Sequence, residues 1–135
     1  MLYYFDHNLL GVENGSERAH LLSSAEQHFL AANRADPWDH LTEYYLAYHY
    51  ALKRNIDKAT QRVRNALNLH SEHLASLHLM ILLLTAKKEY KEALELTEAT
   101  LDDYPDNLPL MSLKVRLEEV VHGADAAVTT AKGNK

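Results

Sequence analysis

The chain is predicted to be all-α, with antiparallel helix pairs stacked into a right-handed superhelical solenoid of about three and a half repeats. Three observations predict it. Alanines fall at 25, 59, 93 and 127, each 34 residues after the last. The first three are followed at four positions by a larger residue (Phe29, Val63, Thr97) and at seven by a small one (Ala32, Ala66, Thr100). Glycine (4) and proline (3) are scarce among 135 residues and fall at the junctions this period requires. That leaves little turn chemistry for a sheet.

The spacing has a physical cause. The alanine sits early in the second helix of each pair, where two backbones approach closest, and a larger side chain there would cost about 1–3 kcal/mol in overpacking. The residue four positions on lies one turn further along the same face and fills the groove between helices. Pro37 and Pro105 close two of the units and Ser71 closes the one between. A missing N–H costs little at such a junction. This pattern resembles the tetratricopeptide repeat, and it makes Ala25, Ala59, Ala93 and Ala127 the structural repeat positions.

The elements follow in order. Residues 1–15 carry Leu2, Tyr3, Tyr4, Phe5, Leu9 and Leu10, enough for a short helix in a degenerate first unit, broken at Gly11 and Asn14-Gly15. Residues 16–135 form the repeat array. Its first helix covers 16–33. Repeat two spans 38–70, with Asp36 as N-cap, Pro37 in the first position and Asp39 as a first-turn acid. Its first helix runs to about Arg54, and Asn55 caps the second. Repeat three spans 72–103, with Ser71 as its cap. Repeat four, truncated, spans 106–132. Asp106 caps it, Gly123 ends its first helix, and a new helix begins at Asp125. Residues 133–135 are expected to fray. Both ends look unfinished for a repeat array, which predicts a fragment of a longer solenoid.

Composition bounds the chemistry. A net charge of −5 disfavours nonspecific nucleic-acid binding. The absence of cysteine excludes a disulfide framework, a zinc–thiolate site and a cysteine nucleophile, and fits a reducing compartment. The longest apolar run, 77–84, is interrupted by His78 and is too short to span a bilayer. The first six residues lack the basic start and small-residue cleavage site of a signal peptide.

In such an array the first helix of each pair lines a concave face. Its second, fifth and ninth positions are Leu41, Tyr44 and Tyr48 in repeat two, Ala75, His78 and Leu82 in repeat three, and Pro109, Ser112 and Arg116 in repeat four. The sequence therefore predicts a groove of Leu41, Tyr44, Tyr48, His78, Leu82 and Arg116, aromatic and apolar with one cation, for a helical or extended partner segment. The competing reading packs some of the tyrosines inside the array. A carboxylate clamp for chaperone C-termini needs lysine and asparagine donors. Tyr44, Tyr45, Tyr48, His78, Leu79 and Leu82 stand at those positions instead, so a co-chaperone role is disfavoured.

Arg54, Lys58 and Arg62 share an i, i+4, i+8 stripe, readable as a basic convex patch for an acidic partner or anionic lipid, or as a solvated helix face. His70, His73 and His78 are the densest of nine histidines. Their spacing does not suit a metal on one helix, and no metal or other cofactor is expected. No triad, phosphate-binding loop or dinucleotide fingerprint appears, so no enzyme is expected.

Five stretches carry a closer resemblance: Asp36-Pro37-Trp38-Asp39-His40-Leu41; Ser76-Leu77-His78-Leu79-Met80-Ile81-Leu82-Leu83-Leu84; Tyr90-Lys91-Glu92-Ala93-Leu94; Tyr104-Pro105-Asp106-Asn107; and Lys114-Val115-Arg116-Leu117-Glu118. They resemble the C-terminal repeats of the tetratricopeptide repeat protein 7 family over about residues 20–131, with 1–19 unmatched. The resemblance implies a noncatalytic, all-helical, cytoplasmic scaffold. Such proteins hold a phosphatidylinositol 4-kinase at the inner face of the plasma membrane, bridging a membrane anchor protein and a hyccin-type subunit. Related plant proteins are calmodulin binders. No contact residue carries over.

Three readings result: a scaffold segment of that lipid-kinase complex, a generic adaptor for a peptide or calmodulin-like partner, and a structural spacer. Apolar faces at the ends make self-association an expectation as well.

Overall fold

The computed structural model describes residues 15–133, with side chains described up to 123 except that of Ser16. Six helices appear among the described residues: α1 (Gly15–Ala35), α2 (His40–Leu52), α3 (Ile56–Leu69), α4 (Leu74–Ala86), α5 (Tyr90–Asp103) and α6 (Leu108–Gly133). The expected helix within 1–15 falls outside the described residues. The chain divides within α4 into two units, residues 1–79 and 80–135.

In the first unit α2 packs against both α1 and α3. Leu46, Ala47, Tyr44, Tyr48, Tyr50, Ala59, Val63 and Ala66 are its buried apolar side chains from α2 and α3. In the second unit α5 packs against α6. Leu110, Leu113 and Leu117 recur at i, i+3 and i+7 along α6 and are buried. Of the repeat alanines, Ala59 and Ala93 are fully buried, whereas Ala25 is half-buried. Ala127 lies in α6, and its side chain is outside the described residues.

The period reappears in the backbone hydrogen bonds. After α2, the Arg54 N–H donates to Ala51 (3.0 Å) and the Asn55 N–H to Tyr50 (2.9 Å). After α4, the Lys88 N–H donates to Thr85 (3.0 Å) and the Glu89 N–H to Leu84 (2.9 Å). Each pair of bonds has the Schellman pattern, with a left-handed residue two places past the last helical one. Those residues are Arg54 (φ 60°) and Lys88 (φ 63°), at the same place in successive repeats. Between repeats, the His70 N–H donates to Ala66 and the Tyr104 N–H to Thr100, both at 2.9 Å.

The first helix of each pair starts later than the sequence predicts. Asp36 is not the cap of α2. Its Oδ1 accepts from the Trp38 N–H, making a turn of Asp36-Pro37-Trp38. Asp39, expected inside the helix, is the N-cap: its Oδ1 accepts from the Leu41 N–H and its Oδ2 from the Thr42 hydroxyl. Likewise α6 starts after Asn107, whose Oδ1 accepts from the Leu110 N–H, rather than after Asp106. α4 starts at Leu74, beyond Ser71. An Asx turn competes with the helix for the same N–H groups, and here it takes the first of them. Asn55 does cap α3, accepting from the Lys58 N–H.

Gly123 does not end a helix. α6 continues through it to Gly133, so no separate helix begins at Asp125. No glycine among the described residues has a positive φ, and a Cβ built on Gly123 would meet nothing within 4 Å. Glycine disfavours a helix interior by about 1 kcal/mol, which is too little to break a run with valines before it and alanines after it.

A positive φ costs a side chain about 1–2 kcal/mol that glycine avoids, partly offset by glycine's greater chain entropy. Lys88→Gly is therefore expected to raise stability by about 0.5–1 kcal/mol. A urea unfolding midpoint at or below that of the parent would contradict the left-handed turn.

Candidate functional site

Leu41 and Tyr45, spaced i, i+4, share the exposed side of α2, and Trp38 stands exposed in the turn just before it. Trp38 is 79% exposed and Leu41 and Tyr45 are 42% exposed each. Phe29 of α1 stacks on Tyr45 with centroids 5.6 Å apart and 14° between planes, which fixes the tyrosine ring. Tyr44 and Tyr48 lie underneath, each only 2% exposed. Tyr44 packs edge-on to Tyr45 (5.5 Å) and His73 (5.3 Å) and stacks on Tyr48 (6.0 Å). Burial, with Tyr48 and Tyr45 beside it, raises the Tyr44 phenol well above its usual pKa.

Of the six predicted groove residues, Leu41 is exposed, Tyr44 and Tyr48 are buried, and His78 is half-buried in the first unit. Leu82 is half-buried and Arg116 exposed, both in the second unit, where Arg116 donates to Ser112 Oγ at 3.4 Å. A partner arriving at α2 meets Trp38, Leu41 and Tyr45 before either buried tyrosine. The groove predicted from sequence leaves out Trp38 and Tyr45. For Tyr45 the signal was its place one turn after Leu41; Trp38 precedes the helix and its spacing carried none.

The predicted basic stripe is rearranged. Arg54 lies in the turn before α3, in left-handed conformation, so it does not continue a helical row. Lys58 is exposed, its ammonium 5.4 Å from the centre of the Tyr50 ring. Arg62 is half-buried and occupied. It pairs with the Glu43 carboxylate at 3.3 Å and donates to Asn33 Oδ1 at 3.2 Å. Asn33 Nδ2 and Asn65 Nδ2 also donate to Glu43. Glu43 is buried and thus satisfied by α1 and α3 together.

A second polar cluster joins α1 to α2. Glu26 Oε1 accepts from the Tyr50 hydroxyl at 3.0 Å and Oε2 accepts from Lys53 Nζ at 3.2 Å. Burial works to raise the Glu26 pKa, but those two bonds and the charges of Lys53 and His49 outweigh it, so it sits below the usual value. His49 is fully buried, its Nε2 at 3.6 Å from Glu26 Oε2, and neither ring nitrogen has a hydrogen-bond partner. Burial lowers its pKa; Glu26 opposes the shift and Lys53 adds to it. No group of three or more metal-ligating side chains is arranged to hold an ion among the described residues.

In the second unit, α6 turns Leu108, Met111 and Val115 to solvent at i, i+3, i+7, opposite its buried leucines. A cleft of about 410 Å³ opens there between Leu101, Pro105, Met111, Lys114, Val115 and Glu118.

No family model matches the chain. Tetratricopeptide repeat protein 7B of Mus musculus is 39% identical over 127 residues, 94% of this chain and 14% of that protein. The Homo sapiens 7B protein is 38% identical over the same shares. The Homo sapiens 7A protein is 31% identical over 117 residues, 87% of this chain and 14% of its own length. This chain belongs to the tetratricopeptide repeat proteins and is related to tetratricopeptide repeat protein 7. A 127-residue match within 135 residues necessarily reaches into residues 1–19, which the sequence comparison by motif had left unmatched. The chain spans about one seventh of the length of these relatives. Among solved structures, the first TPR of Spaghetti (RPAP3) bound to HSP90 peptide SRMEEVD superposes with a TM-score of 0.70. It covers 75% of this chain and 82% of that one at 16% identity, a likeness of fold.

Two expected outcomes follow from the polar clusters of this tetratricopeptide segment. Arg62→Ala strips the buried Glu43 of the cation paired with it and should cost about 1–3 kcal/mol. Lys58→Ala, at an exposed site, should cost under about 0.5 kcal/mol. Chemical unfolding of the two variants side by side tests this, and equal losses would refute a structural role for Arg62. The fold lowers the His49 pKa, so as pH falls the unfolded chain takes up the proton first. Stability is then lost as pH falls below about 6.5 toward the lowered folded value. His49→Leu should flatten the fall of Tm between pH 7 and pH 5.5, and an unchanged profile would assign that fall to other groups.

Proposed function

We propose that this segment is a noncatalytic protein-interaction scaffold, part of a subunit that assembles and localises a phosphatidylinositol 4-kinase complex at the plasma membrane. The observation that carries this reading is the relationship to tetratricopeptide repeat protein 7 over 94% of the chain. The partners are a lipid kinase, a hyccin-type subunit and a membrane anchor protein, met from the cytoplasmic side. Recruitment through protein contacts suits a chain in which no described helix is long and apolar enough to cross a membrane.

The contact surface on this segment is Leu41 and Tyr45 of α2 with Trp38 of the turn before it, Tyr44 and Tyr48 as its buried support and Phe29 as its brace. Rigid aromatics are the side chains that most often dominate binding energy, because they cover much area for little lost rotamer freedom. The basic stripe supports a calmodulin-like acidic partner poorly, since Arg62 is already committed to Glu43 and Arg54 sits in a turn.

A pulldown with the full chain from a cell extract tests the proposal. Recovery of the kinase and hyccin-type subunit, reduced at least tenfold by Trp38→Ala with Tyr45→Ala, is the expected result. Recovery of a calcium-dependent partner through Arg54 and Lys58 instead would favour the adaptor reading. Recovery of nothing would leave a spacer and overturn the proposal.

A further inference from the structure

Three imidazoles that are separate in sequence meet at one corner of the first unit. His40 opens α2, His70 is the C-cap of α3, and His73 precedes α4. Ring centroids are 4.6 Å apart for His40 and His70, 4.9 Å for His40 and His73, and 5.9 Å for His70 and His73. The turn between α3 and α4 is thereby fastened to the start of α2 by ring packing. His73 is the central piece. It contacts both other imidazoles, lies edge-on to Tyr44 and has Nδ1 2.6 Å from Ser76 Oγ, a fully buried hydroxyl.

We propose that this trio is an acid-sensitive latch: neutral rings hold the α3–α4 turn on α2, and protonation of two of them drives the turn away and uncovers Tyr44. The physical basis is that like charges at ring-contact distance repel, most where water is excluded; His40 and His73 are half-buried and His70 is exposed. The groups around the trio do not cancel that charge as a set. From α2, Asp39 stands beside His40, but its carboxylate already accepts from the Leu41 N–H and the Thr42 hydroxyl. Glu43 is held by Arg62, Asn33 and Asn65. On the turn, Glu72 is the one acid, and it is exposed. From α4, the Ser76 hydroxyl meets His73, and His78, further along the helix, has its pKa lowered by burial. Burial, and then His40 and His70, likewise hold the His73 pKa below its ordinary value.

The latch deepens the docking proposal, because the ring it would expose is the support of the Trp38–Leu41–Tyr45 face. It is nonetheless measured without any partner, so its failure and that of the docking reading are distinguishable.

The test is amide hydrogen exchange across residues 70–77 of the full chain between pH 7.5 and pH 5.5, corrected for intrinsic rates, with parallel NMR titration of the imidazole carbons. The expected result is protection in 70–77 falling about tenfold per pH unit for each proton taken up on opening, while α5 keeps its protection. His73 should protonate below the ordinary histidine value. His40→Gln with His70→Gln should raise the His73 midpoint and reduce the loss of protection to at most that of a single proton. Circular dichroism at pH 7.5 checks that this variant remains helical. Protection in 70–77 that is independent of pH in the parent, or that falls equally steeply in the double variant, would overturn the latch. Should the variant fail to fold, a His73 that titrates in the parent at the ordinary histidine value with no change of protection would do the same.

Discussion

The fold depends on a turn that is made twice. At Arg54 and again at Lys88 the chain takes a left-handed step, and two backbone bonds close each helix end in the same pattern at nearly the same lengths. This step sets where the next helix begins, and hence which side of it faces inward. The fully buried alanines at 59 and 93 sit a few residues beyond each turn. With a fixed turn and a small residue at a fixed distance from it, the next helix has one close-packed register. The apolar side chains around it then have their places decided.

Much of this was legible in the letters. The recurrence of alanine, larger and small residues exposed the helix pairs, because close packing restricts side-chain volume at particular places. The turns were less legible. Glycine is the usual left-handed residue, and arginine and lysine gave no hint of that conformation. The starts of the first helices were displaced for a different reason. Asp36 and Asp39 are both good caps, and the sequence does not say which will win. Proline after Asp36 favoured the earlier one, yet the Asp36 carboxylate was taken up by a local turn, leaving Asp39 to cap.

The surface was harder to read than the core. Tyr44, Tyr45 and Tyr48 are one residue type on one helix, and only the helices packed around α2 decide which of them is covered. His73 and Tyr48 close over Tyr44, while Tyr45 is turned toward Phe29 and solvent. Charge was similarly deceptive. Arg62 reads as a surface cation, but its partner, Glu43, is 19 residues away in sequence on the neighbouring helix. Pairings between helices do not follow the period of the repeat, so they leave no mark in it. His40 joins His70 and His73 across a still longer stretch of sequence, while His78, which sequence proximity grouped with them, makes no ring contact with the trio.

Thr97 and Thr100 occupy the places that Val63 and Ala66 hold one repeat earlier, and they too are buried. Their hydroxyls are consumed locally, donating to the carbonyls of Ala93 and Leu96 at 2.7 Å. A polar atom that closes on its own helix presents only its methyl group to neighbours, so threonine there works as a slightly heavier valine. The alphabet permitted at such a site is therefore broader than any hydropathy ranking allows. Divergent copies of the unit can drift through hydroxyl-bearing letters while their interior stays dry.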